Sequence, residues 1–192
     1  MGVYSLVAAA TLAWTIWAFV SVPPGQPAWI LGSVGWALAT LLMLLASVLL
    51  LGSLVGNPAF PNPGAATAAP GQARGVYAIT RHPMMWSVAI WALVHAAVYP
   101  VAKSFVLAAA MLVLALVGAA FQDRKKAMLQ PDTWPAWQSR TSFVPFAATL
   151  GGRAHVGGFG TLALAGGLVF WLAATWAHRP LTGWAAGIWR WL

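Results

Sequence analysis

Five apolar stretches, each long enough or nearly so to cross a hydrocarbon layer, leave this chain few folds to choose from. They run over residues 3–22, 28–55, 83–99, 104–121 and 159–177. A bilayer core about 30 Å thick takes about 20 helical residues to cross. In lipid, every backbone N–H and C=O must be paired within its own segment or in a closed barrel. Barrel strands alternate apolar with polar residues, whereas these runs are continuous. The stretches therefore predict an all-α polytopic membrane bundle of about five transmembrane helices, one domain over residues 1–192. Composition agrees. The chain is 61% hydrophobic and 6% charged, against roughly 25% charged residues in a soluble domain. A soluble monomer is excluded, and so is a disordered chain, which needs low hydrophobicity and high charge. There is no cysteine, hence no disulfide framework and no thiolate ligand.

The connections divide these spans. Pro23, Pro24, Gly25, Gln26 and Pro27 form a turn signal, which predicts an antiparallel hairpin of the first two helices. Residues 56–75, rich in Gly, Ala and Pro, read as an irregular surface loop. Pro100 ends the third stretch, and residues 122–158 form the one sizeable polar connection. Residues 181–192 alternate Trp with small residues. That segment is too short to span and is expected to lie in the interface.

Ten Lys and Arg face two acids, Asp123 and Asp132. The cations stand singly or in one short run between apolar stretches, so the excess is a topology signal and not a nucleic-acid surface. Arg74, Arg81, Arg124, Lys125, Lys126, Arg140 and Arg153 fall on the same side as the N-terminus; Lys103, Arg179 and Arg190 fall on the other. Cationic loops stay inside, so the N-terminus and residues 122–158 are expected in the cytoplasm. The first run lacks a positive leader and continues into a second span, unlike a signal peptide. Leu6 stands where a myristoylation signal needs Ser or Thr.

Thirteen Trp are present. Trp29, Trp86, Trp134, Trp137, Trp176, Trp184, Trp189 and Trp191 fall near span ends, where an aromatic belt is expected. Trp14, Trp17, Trp36, Trp91 and Trp171 lie deeper and are expected to pack.

An ionisable group within a span is a functional candidate by default, and His95 is the one that stands out. On a helix it shares a face with Met84, Val88 and Trp91. A neutral imidazole among Trp, Leu and Val needs a hydrogen-bond partner or a metal, and the spacing leaves both open. Arg81 and His82 precede Pro83, which suits the first turn of a helix. They sit at the membrane boundary, where they either bind an anion beside free helix amides or anchor to headgroups. His82 and His95 are thirteen residues apart, about 20 Å along a helix, and cannot share one metal ion. Asp123 and Lys126 stand one turn apart and are expected to pair weakly. His155 and His178 are expected to be solvated. There is no paired-carboxylate constellation, phosphate loop or zinc spacing.

Gly75-Val76-Tyr77-Ala78-Ile79-Thr80-Arg81-His82-Pro83-Met84, followed by Trp91-Ala92-Leu93-Val94-His95, resembles the signature of the NnrU family of bacterial membrane proteins. Gly56-Asn57-Pro58-Ala59-Phe60, the run from Thr141 to Ala148, and Gly152-Arg153 extend the resemblance over most of the chain. It implies an integral protein of the bacterial inner membrane that serves denitrification, with respiratory or assembly proteins as partners. The family is similar to the zeta-carotene isomerases, membrane enzymes with haem b, in which the His of Trp-x-x-x-His is thought to hold the iron. The resemblance thus implies a metal ligand at His95, a cofactor contact at Trp91, and Arg81 and His82 holding a propionate or other anion. Against the isomerases, Ala92 stands where they have Cys, and the resemblance leads one to expect that this chain starts after a family helix that carries a further His. Alternatives are a haem-dependent isomerase or oxidoreductase of an apolar substrate, and a methyltransferase using S-adenosylmethionine. The latter rests on a weaker resemblance of Arg81-His82-Pro83 to isoprenylcysteine methyltransferases, which have Tyr where Met85 stands.

Overall fold

The computed structural model describes residues 2–58 and 72–192. Among them there is no strand. The long helices are α1 (Gly2–Ser21), α2 (Ser33–Gly52), α4 (Pro83–Val98), α5 (Ala102–Leu129) and α8 (Gly167–Thr182). Short helices α3 (Val76–Ile79), α6 (Trp134–Arg140) and α7 (Ala147–Leu150) fill the connections. A π-helical turn, Leu162–Gly166, leads into α8, and a 3-10 turn, Gly187–Arg190, follows it. Three of the helices, α1, α2 and α5, are long and apolar enough to cross a membrane by themselves. This is the expected helical membrane bundle.

The bundle is built inside out. Most of its buried positions are small: Ala39, Ala46, Ser47 and Gly52 on α2, Ser87, Ala89 and Ala92 on α4, Ser104, Ala108, Ala115 and Ala119 on α5, with Leu49 and Val94 among the larger exceptions on these helices. Large apolar side chains such as Leu38, Leu41, Val106, Leu114 and Val169 point outward. Lipid is as apolar as Leu, so helices gain from close backbone approach and not from burying bulk. Gly167 shows how close: a Cβ there would lie 2.9 Å from the Val48 Cα. Helix α2 packs against both α4 and α8, and α5 packs against α4.

Several expectations are corrected. The second apolar stretch is helical only from Ser33. Residues 28–32 are non-helical and serve the end of α4 and the turn after it: Ala28 N–H donates to the Pro100 carbonyl at 2.8 Å, and Trp29 Nε1 donates to the Ala97 carbonyl at 2.9 Å. Helix α1 does not form a packed hairpin with α2, and none of its residues is buried. It is tied instead by Lys103, whose Nζ donates to the carbonyls of Phe19 and Val22 and lies 4.8 Å from the Phe19 ring centre. Trp14 and Trp17 are accordingly exposed. Trp134 and Trp137, expected in a belt, are buried beneath the polar connection. The C-terminal segment folds back on the bundle: Trp189 Nε1 donates to the Leu172 carbonyl, and the Arg190 guanidinium lies 4.0 Å from the Trp36 ring centre. The 56–75 loop falls mostly outside the described residues; 56–58 and 72–75 are non-helical.

Candidate functional site

Two sites lie at opposite ends of α4. The first is at its start. Pro83 opens the helix as expected, and His82 takes the position before it with its side chain turned away from the helix amides, to Asp123. Helix α5 continues past the apolar stretch to Leu129 and so carries Asp123 alongside. One carboxylate oxygen accepts from Arg81 Nε at 2.7 Å, the other from His82 Nε2 at 2.9 Å. All three side chains are buried or nearly so: His82 is 1% exposed, Asp123 11% and Arg81 12%. The anion that Arg81 and His82 hold is thus the chain's own Asp123, and the expected Asp123–Lys126 pair does not form. Lys126 Nζ donates instead to the Pro58 carbonyl and lies 5.9 Å from the Trp134 ring centre.

The run from Thr141 to Phe146 closes over this cluster. Arg81 N–H donates to the Ser142 carbonyl, and Trp86 Nε1 and Thr80 Oγ1 donate to that of Phe143. The Phe143 ring stands edge-on to His82, with centres 5.4 Å apart, and 5.8 Å from the Arg81 guanidinium. Phe146 is held at a φ of 64°, unfavourable for a side chain with a Cβ. Its N–H donates to the Ile79 carbonyl at 2.7 Å. On α3, Tyr77 turns its hydroxyl to donate to the carbonyls of Ser53 and Val55. Burial pushes its phenol above the ordinary tyrosine range. A carboxylate accepting from Nε2 fixes the His82 tautomer, with hydrogen on Nε2.

The second site is in the last turn of α4. His95 Nδ1 donates to the Trp91 carbonyl at 2.8 Å, and the two rings stack at 4.3 Å. Across from it lies His178, which is not solvated as expected but half-buried. Its Nδ1 donates to the Ala174 carbonyl at 2.8 Å, and its ring centre is 6.2 Å from that of His95, with planes 33° apart. A carbonyl only accepts, so both Nδ1 atoms carry hydrogen. Each neutral ring therefore has its lone pair on Nε2, the form that ligates metals. Helices α4 and α8 flank α2 and meet here through these two rings. Arg81 and His82 are not part of this site; twelve helical steps from Pro83 to His95 put them about 18 Å away along the axis. Among the described residues no group of three or more His, Asp or Glu could enclose a metal.

The residues that open the first site and those of the Trp-x-x-x-His turn lie within one family pattern, which matches residues 1–186. The chain belongs to the NnrU protein family. No curated protein and no solved structure matches this NnrU chain significantly.

Proposed function

We propose that this NnrU protein is a haem-associated accessory factor of nitrogen-oxide respiration in the bacterial inner membrane, with its N-terminus and cation-rich connections in the cytoplasm. The respiratory setting rests on the resemblance to the family. The observation that carries the cofactor is the His95–His178 pair. Two imidazoles that share one metal ion stand about 6 Å apart, centre to centre, with metal–nitrogen bonds of about 2.0 Å on each side. The rings here are 6.2 Å apart, with both Nδ1–H groups engaged by backbone carbonyls. That donor set suits iron. His95 and His178 would hold it, and Trp91 would flank the ring. Bound haem supplies one-electron chemistry at a potential set by its axial ligands.

Absorption spectra of the purified chain with stoichiometric haem test this reading. A Soret band of a six-coordinate low-spin species is expected, lost in His95→Ala and converted to a five-coordinate spectrum in His178→Ala. No band at all would refute the cofactor; a band unchanged in His95→Ala would refute the ligand. The respiratory role predicts that a deletion strain accumulates nitrite or nitric oxide, and that the His95→Ala gene fails to correct it.

A further inference from the structure

A cavity of about 540 Å³ opens beside the connections that cover the first site. Arg74, Arg140, Arg153 and His155 line it, together with the backbone of Gly157 and Gly158. Among the described residues no carboxylate lines it. The chain has two acids in all, and Asp123 is held by Arg81 and His82. Arg74 and Arg153 are therefore gathered by the fold with no carboxylate among the described residues of the wall.

The fold spends specific contacts on that arrangement. Gly75 N–H donates to the Gly157 carbonyl at 2.6 Å, which joins the two sides of the cavity. Gly158, at a φ of 67°, passes within 3.7 Å of the Arg74 side chain through its would-be Cβ. Arg153 is braced by the Ser139 and Thr141 carbonyls, and Arg74 by the Gln72 side-chain oxygen. These partners are neutral, so they orient the guanidiniums and leave their charge uncompensated. Guanidinium groups match phosphate oxygens in pairs. We propose that this cavity binds a phosphate-bearing anion of at least two charges, either the headgroup of an anionic phospholipid or a soluble phosphorylated molecule. All three arginines lie on the cation-rich side of the bundle, within reach of both sources.

The test uses the full chain, with pyrophosphate as the soluble probe and nanodiscs of phosphatidylcholine with or without cardiolipin. Saturable pyrophosphate binding is expected at low salt in cardiolipin-free discs, weakened about tenfold or more in Arg74→Glu, since charge-assisted bonds are the strong ones. If cardiolipin excludes pyrophosphate, and native mass spectrometry finds cardiolipin retained by the wild type and lost in Arg74→Glu, the source is the lipid. If cardiolipin leaves pyrophosphate binding unchanged, the source is soluble. Arg74→Gln, which keeps the side chain's length and polarity, should weaken binding in the same direction, and a matching thermal midpoint shows that the fold is intact. The proposal is overturned if neither probe binds saturably, or if both Arg74 variants bind like the wild type.

Discussion

Replacing Asp123 by Asn tests the cluster at the start of α4 with the least change of shape. Three donors converge on this carboxylate: Arg81 Nε, a terminal Arg81 nitrogen and His82 Nε2. Asn offers one acceptor oxygen and turns an N–H toward the other donor. It also leaves the Arg81 charge, about nine-tenths buried, without a counter-ion. Breaking one partner of a buried ion pair costs about 3–5 kcal/mol. Removing the whole pair costs less, because the desolvation of both charges is recovered. In Arg81→Met with Asp123→Leu, the main residual penalty is a His82 N–H without an acceptor, about 1–3 kcal/mol. The double variant should therefore be more stable than Asp123→Asn alone. Unfolding by dodecyl sulfate in mixed micelles, followed by far-ultraviolet circular dichroism, measures both. If Asp123→Asn falls within about 1 kcal/mol of the wild type, the cluster is solvated and the reasoning fails. It fails equally if the double variant costs the sum of its parts.

Other expectations are narrower. Tyr77 ionises in the unfolded chain near its ordinary pKa of 10.0 but resists ionisation when folded. Stability should therefore fall as pH rises above about 10, and Tyr77→Phe should remove that part of the alkaline slope in the same unfolding assay. Gly167→Ala puts a Cβ against the α2 backbone and should cost about 1–3 kcal/mol by overpacking, read from the unfolding midpoint. Lys103→Met removes the tie to the end of α1, and limited proteolysis should then cut faster between α1 and α2.

The helical class was legible because uninterrupted apolar runs have one solution in lipid. Pro83 marked the start of α4 because its ring fits a first turn. Asp123 was the missed partner, though it could have been reached: a chain with two acids has few ways to neutralise Arg81 at a span end. His178 was harder. Its local signal is only a helix-face spacing with Trp171 and Thr175, and its meeting with His95 depends on how α4 and α8 both lean on α2. The buried Trp134 and Trp137 misled for a physical reason. A Trp near a span end suits both a lipid interface and a folded connection, and composition does not separate the two. The break at residues 28–32 was invisible locally, since it answers carbonyls at Ala97 and Pro100, about seventy positions on.

Helix α4 has 16 residues, a rise of about 24 Å, where the hydrocarbon is about 30 Å deep. Hydrophobic mismatch of about 6 Å must be absorbed by thinning of the surrounding bilayer, because the helix is braced at both ends and gains nothing from tilting. The membrane beside α4 is expected to be drawn in, so that water and headgroups on its two faces come nearer to each other there. Thicker, sterol-like bilayers should strain it, and thin ones should suit it.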